Sequence, residues 1–362
     1  AVAGIITLWA WTAIGPQGLT LLEGLAVINT RFVGEYDETE VVDAAMEGMV
    51  SGLNDRWSYY LDAEGYAAQN QRRTNQYVGI GVTVTYEREE GLLIQDVAAG
   101  GPAEAAGIRP GELIVAVDGT SLAGEARYDG AGLIQGEEGT EVTLTLLAED
   151  GAERTVTVAR ASLENDPVTY EMLEGQVGYV ALQNFYDQSA QRLEEAVAEL
   201  QAQGARALIF DMRNNSGGYL SQLTDMLDFL LPEGPIFISR DREGNETITE
   251  SDAACVDLPM AVLVNENTYS AAEFFAAELQ EQGVAVIVGM PTSGKGYSQQ
   301  TFALPGGGAV AISTAEYFTG SGTSLIGTGL TLDREVPLTG EGDAQLEAAL
   351  ELLAERLDNG DG

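Results

Sequence analysis

The chain has 362 residues, with 57 acidic against 17 basic side chains, no histidine and a formal net charge of −40. Its length suggests two or three domains, and 45% hydrophobic content is enough to bury real cores. The charge argues against nucleic acid and anionic surfaces as partners, and the missing histidine excludes a Ser-His-Asp triad and any His-ligated metal site. The single cysteine, Cys255, permits no intrachain disulfide and reads as a packing residue rather than a nucleophile. Sixteen of the basic residues are arginines; Lys295, in the Gly-rich turn 292–296, is the only lysine. A lysine kept at one place alone suggests a specific chemical task.

Residues 1–16 form an apolar N-terminal segment, and 1–14 carry no charge. They are too few to span a bilayer, which takes about 20 apolar residues. We read them as the remnant of a membrane anchor, the alternative being a buried helix. Residues 17–73 read as helical, with an amphipathic helix over 43–53, an aromatic turn at 56–61 and a new helix from Asp62. At 74–160 the period changes to two. Strands are expected at 82–86, 91–97 and 113–117, a short helix at 102–106, and a hairpin of 142–146 with 154–158 around Asp150-Gly151. The stretch 161–340 alternates strands (177–182, 207–211, 260–264, 284–288) with helices (188–203, 219–230, 271–282), the pattern of a largely parallel sheet flanked by helices. Residues 341–362 close the chain with an amphipathic helix at 343–357 and a tail.

In such sheets chemistry gathers at loops beyond the strands' carboxyl ends. The loop after 207–211 holds Gly217-Gly218, able to turn backbone N–H groups toward a ligand. The loop after 260–264 ends at Ser270, at the mouth of a helix, where amides favour developing negative charge. The loop after 284–288 carries Lys295. A serine with a neutral lysine can replace a Ser-His pair. The lysine's ordinary pKa and the charge of −40 oppose this, so local desolvation has to prevail. The apolar run before Lys295, and the lack of any acid between Gln282 and Thr301, permit it. Alone, Ser270 could be a helix cap and the glycines ordinary turn residues.

The segments 269–276 (Tyr-Ser-Ala-Ala-Glu-Phe-Phe-Ala) and 293–299 (Ser-Gly-Lys-Gly-Tyr-Ser-Gln) resemble those of the carboxyl-terminal processing, or tail-specific, serine peptidases. Segments 211–218, 54–61 and 327–337 resemble that family's glycine loop, N-terminal aromatic turn and C-terminal motif, in the same order. The resemblance implies an α/β protease core of ClpP/crotonase-like type with an inserted, mostly β PDZ domain and an N-terminal helical segment. It implies Ser270 as nucleophile, Lys295 as general base and Gln299 holding the lysine amine. Gly217 or Gly218 with the Ala271 amide would form the oxyanion hole. Gly79-Ile80-Gly81-Val82 would be the PDZ loop that captures a substrate carboxylate. It implies no metal and no cofactor. The implied partners are proteins or peptides with free, apolar C-termini, with membrane association through the N-terminal segment or a homodimer as further options. The implied location is extracytoplasmic, in a bacterial cell envelope. Two departures stand out. Ser293 replaces a phenylalanine before Gly-Lys. Gln135 replaces an arginine that in some relatives couples the PDZ domain to the active site. Two rival readings are a tail-binding scaffold without turnover and a nucleotide-binding domain, since 289–295 is a partial Walker A sequence.

Overall fold

A computed structural model describes residues 2–148, 150–338 and 342–359, with side chains from 15 to 358. The chain divides into two compact units, 1–54 and 55–362.

The first unit holds two helices. Val2–Arg31 is interrupted at Gly15, whose φ of 67° and ψ of 178° only glycine adopts readily, and Pro16 restarts the helix. Asp37 caps Glu38–Ser51 by accepting the N–H groups of Thr39 (2.7 Å) and Glu40 (3.3 Å). The Tyr36 hydroxyl donates to Asn29 Oδ1, and Asn29 Nδ2 donates to Glu38, tying the two helices together. Among the described residues no helix is long and apolar enough to cross a membrane. The anchor reading of 1–16 falls almost wholly on side chains outside the described residues.

In the second unit a six-stranded sheet runs Val168–Leu173, Val177–Leu182, Ala207–Asp211, Met260–Val264, Ala285–Gly289, Arg334–Glu335. The first pair is antiparallel and the rest are parallel. Ala207–Asp211, Met260–Val264 and Ala285–Gly289 are buried throughout, because both sheet faces are covered. Their alternate residues serve two cores. Leu208, Phe210, Val262 and Val264 pack with helices Ser189–Ala202, Leu220–Leu230 and Ala271–Glu281. Ala207, Ile209, Ala261 and Leu263 pack with the closing helix Ala344–Asn359. Residues 341 and 360–362 of the expected C-terminal segment lie outside the described residues.

A second sheet was not legible in the pattern. Ala309–Phe318 pairs with Tyr59–Leu61, Gly234–Asp241 and Tyr297–Ala303, and Glu246–Ser251 extends it. The aromatic turn at 56–61 therefore ends in a short strand, Tyr59 opposite Ala311, because a distant segment offers it an edge. Phe274, Phe237 and Tyr317 pack edge to face and join this sheet to the Ala271–Glu281 helix.

The β module has its own core of Ile80, Leu92, Ile94, Ile114, Leu144 and Leu146 with their neighbours. Its sheet begins with the edge strand Val82–Arg88, then Gly91–Val97, Leu113–Val117, Glu141–Leu147 and Glu153–Ala159. Gln76–Gly79 pairs with Ala161–Glu164, so the chain enters and leaves the module side by side. The structure adds a 3-10 turn, Gly124–Asp129, and a helix, Gly130–Ile134, that are too short to show a sequence period.

One buried charge position carries a stability consequence. Glu278, fully buried on the Ala271–Glu281 helix, accepts the Gly320 N–H at one oxygen, while its Oε2 has no partner among the described residues. Burial pushes its pKa up to about 8, opposed by the Gly320 bond and reinforced by Glu281. The folded state therefore holds a proton that the unfolded chain releases near pH 4.5. Stability from this group is complete below that pH and is lost as pH rises toward 8. Glu278→Gln removes this loss. The melting temperature of the variant relative to the parent should climb between pH 5 and pH 8.5, by an amount equivalent to on the order of 4 kcal/mol. A constant difference across that range contradicts the assignment.

Candidate active site

Three loops leave the carboxyl ends of adjacent parallel strands, and side chains lock them together. Asn214 N–H donates to Asn265 Oδ1 (2.9 Å), while Asn265 Nδ2 and Asn267 Nδ2 both donate to Asn214 Oδ1 (3.0 Å each). Thr268 Oγ1 donates to the Met212 carbonyl (2.8 Å), and Tyr269 N–H to the Asn215 carbonyl (3.2 Å). Arg213, in the same turn, bridges Asp211 and Asp343, which fastens the closing helix beneath the loop.

Ser270 stands at the head of its helix with φ 62° and ψ −129°, a conformation costly for a residue with a side chain. It is the strained strand-to-helix elbow expected of a presented hydroxyl. Gly217 packs against it. A Cβ on Gly217, itself at φ 84°, would lie 2.9 Å from both Ser270 Cβ and Ala271 N. A Cβ on Gly218 would strike the Phe185 carbonyl at 2.3 Å. The Gly217 N–H donates to Asn215 Oδ1 (2.8 Å), so that amide is already engaged, whereas no such bond occupies the amides of Gly218 and Ala271 among the described residues.

Glu273 is fully buried one turn into the helix. Its Oε2 accepts the N–H groups of Ser270 (3.1 Å) and Lys295 (2.9 Å). Its Oε1 accepts the Gly294 N–H (2.8 Å) and the Thr292 hydroxyl (2.6 Å). One carboxylate thus fixes the serine backbone and the lysine backbone against the same two atoms. The same bonds remove the nucleotide-binding reading. The turn's amides point at a carboxylate rather than into a phosphate cradle, and Lys295 leads into the strand Tyr297–Ala303, not a helix.

Ser270, Ala271, Gly218, Lys295 and Gln299 line one cavity of about 760 Å³, together with Trp57 and Tyr269. The Lys295 Nζ sits 4.9 Å from the Trp57 ring centroid and 5.8 Å from that of Tyr269. Burial lowers its pKa to about 8; Asp55 and Glu273 oppose the fall, and Arg73 adds to it. Gln299 Nε2 donates to the Tyr297 carbonyl and to Ser313 Oγ, both at 3.1 Å, which fixes the amide's orientation. Ser313 N–H donates to Ser58 Oγ (3.1 Å), which donates to Asp55 Oδ2 (2.5 Å). Asp55 is itself partly buried, which would raise its pKa, but hydrogen bonds from Ser58, Ser313 and Trp57 N–H hold it below the ordinary value.

Sequence reasoning missed Glu273, Asp55 and Ser313 as parts of this site. Glu273 lies within the 269–276 segment, and its spacing three residues after Ser270 is a capping signal. Nothing local marks Ser313, which reaches the site only through strand pairing.

In the β module, Gly79, Ile80, Gly81 and Val82 border a small groove completed by Val84, Ala131, Ile134 and Gln135. Ile80 is buried and Gly81 has φ 81°. Arg160, also buried, donates to the carbonyls of Leu133 and Ile134 at the end of the groove helix.

Comparison with known proteins agrees with this layout. Residues 176–336 match the model of peptidase family S41, 93–147 match a PDZ domain, and 21–65 match the "Activating protease CtpB N-terminal domain". The chain is 29% identical over 311 residues to a Staphylococcus aureus (strain N315) protein named "Probable CtpA-like serine protease", covering 85% of this chain and 62% of that one. It is 31% identical over 308 residues to the chloroplastic C-terminal processing peptidase of Tetradesmus obliquus, covering 80% and 66% respectively. The solved photosystem II D1 C-terminal processing protease superposes with a TM-score of 0.53 at 27% identity, over 96% of both chains. The chain belongs to peptidase family S41 and carries a PDZ domain. It spans 62% of the length of the staphylococcal relative.

Removing the Glu273 carboxylate leaves several buried donors without an acceptor. Glu273→Ala should lower the unfolding free energy by about 3 kcal/mol in urea denaturation, and hydrogen exchange should accelerate at the Gly294 and Lys295 amides. A variant within about 0.5 kcal/mol of the parent would show that the carboxylate does not hold these loops.

Proposed function

We propose that this chain is a serine endopeptidase that hydrolyses peptide bonds near the C-termini of proteins, using Ser270 and Lys295 as a dyad. The carrying observation is the chain's sole lysine amine, buried beside two aromatic rings in the cavity headed by the strained Ser270, with its pKa brought down to about 8. Near neutral pH an appreciable share of that amine is unprotonated and can act as a base.

The neutral Nζ takes the Ser270 proton as Oγ attacks the scissile carbonyl carbon. The oxyanion forms beside the amides of Gly218 and Ala271, aided by the helix N-terminus. Gly217 serves by allowing close packing, since its own N–H is held by Asn215. The lysine ammonium returns the proton to the departing amine, and the bond to the leaving nitrogen breaks. Water, deprotonated by the same amine, then releases the acyl group and restores the serine. Gln299, its amide hydrogens turned toward Tyr297 and Ser313, offers its oxygen to the ammonium as acceptor.

Substrate tails would be held by the β module, joining the edge strand Val82–Arg88 with the terminal carboxylate at the 79–82 loop. The apolar lining of that groove favours apolar tails. The apolar N-terminal segment supports an extracytoplasmic, envelope-associated enzyme.

An unstructured reporter protein with an apolar C-terminal tail tests this reading. The parent chain should cleave it, and Ser270→Ala and Lys295→Ala should each reduce cleavage by at least about 10³-fold, as read by mass spectrometry. Tail binding without cleavage by the parent would instead identify a scaffold, and cleavage that survives Lys295→Ala would rule out the lysine base.

The pH profile tests the base separately. Lysine must lose its proton to act, so kcat/KM should rise about tenfold per pH unit below the pKa and level off above about 8. Asp55 stabilises the ammonium, so Asp55→Asn should move this limb to lower pH by about half a unit, along with a lower plateau as the Ser58–Ser313–Gln299 chain loosens. An upward shift contradicts the electrostatic role assigned to Asp55.

A further inference from the structure

The groove of the β module is closed partway along its length. Val82, Val84 and Tyr86 alternate on the edge strand, and Tyr86 falls in the gap between the Thr85–Leu93 and Arg88–Gly91 pairs, outside the ladder. Its carbonyl accepts the Nε–H of Arg127 at 3.0 Å. The same guanidinium donates to the Gly124 carbonyl (2.5 Å) and to the Tyr128 hydroxyl (2.8 Å) and lies 4.4 Å over the Tyr128 ring. Tyr128 in turn stacks on Tyr86, with ring centroids 5.5 Å apart and planes 28° from parallel. Two contacts, the Arg127–Tyr86 hydrogen bond and the Tyr86–Tyr128 stack, therefore bind the edge strand to the 3-10 turn across the line an added strand would follow, and the bonds of Arg127 to Gly124 and Tyr128 brace them from within the turn. On the other side of this latch lies the small apolar pocket bordered by Ile80, Val82, Val84, Ala131 and Ile134.

We propose that the Arg127–Tyr128–Tyr86 latch limits recognition to the last three or four residues of a substrate tail, making Arg127 a specificity-determining residue. The inference rests on the tail-binding reading given above. In an antiparallel addition, pairing positions recur every second residue. A tail whose last residue lies at Val82 brings its third-from-last to Val84 and its fifth-from-last to Tyr86. There the carbonyl already has a donor and two stacked rings occupy the path. The ligand class is thus a short, apolar, carboxylate-terminated peptide end, with upstream sequence left unread by the module.

The test uses the full chain carrying Ser270→Ala, so that peptides survive, and calorimetric titration with an acetylated tetrapeptide and an acetylated octapeptide sharing one apolar C-terminus. With the latch intact the two should bind within about twofold of each other. Arg127→Ala should tighten the octapeptide by about fivefold, as one further strand pairing forms, and leave the tetrapeptide unchanged. Tyr128→Ala should act in the same direction. An octapeptide already tenfold tighter with the latch intact, or no gain in either variant, overturns the latch while leaving tail binding standing. If neither peptide binds, or if C-terminal amides bind as well as free acids, the tail-binding reading fails and the latch falls with it.

Discussion

The site depends on one buried carboxylate. Glu273 receives hydrogen bonds from the backbone of Ser270 on one loop and of Gly294 and Lys295 on another. These loops leave different strands, and the parallel sheet alone places them only to within the freedom of their turns. Ionised, Glu273 can accept at both oxygens, and the four donors that meet it compensate for its removal from water. It also sits in the first turn of its helix, where negative charge is favoured. The strained φ of Ser270 is held in this arrangement: the serine N–H bonds to Glu273, and Gly217 leaves the space beside its Cβ that any larger residue would fill.

A second balance concerns the charge of the lysine. The chain as a whole, at −40, stabilises an ammonium, as do Asp55, Glu273 and the faces of Trp57 and Tyr269. Burial opposes all of these and prevails, bringing the amine to about 8. Screening by water and salt weakens the distant acids far more than it weakens desolvation at the site itself. Asp55 matters beyond its charge, because through Ser58 and Ser313 it fixes which end of the Gln299 amide is available. The N-terminal aromatic turn is therefore joined to the lysine loop by hydrogen bonds rather than by sequence proximity.

Much of this is legible in the amino-acid sequence. The parallel strands Ala207–Asp211 and Met260–Val264 are short runs between helical patterns, apolar but for the closing Asp211, and their boundaries lie where the spacing puts them. Ser270 and Lys295 could be singled out because the chain has no histidine and a single lysine. The second sheet was harder. Ala309–Phe318 and Gly234–Asp241 carry mixed polar and apolar residues, and their pairing joins segments far apart in sequence. For that reason Ser313 and the strand at Tyr59–Leu61 gave no local sign. Gly217 and Gly218 are equivalent in the sequence pattern, and their amides differ because Asn215 folds back onto the first of them. The latch over the groove was hidden likewise, since a six-residue 3-10 turn has no period to read.

The most direct test of the account is the titration of Lys295 itself. Because the chain has one lysine, protein grown with lysine labelled by ¹³C at Cε gives a single side-chain resonance, and its shift against pH reports the proton on Nζ without any substrate. The account expects a midpoint near 8. A midpoint at the ordinary value of 10.5 or above would mean the amine stays charged under working conditions, and would contradict its role as the base.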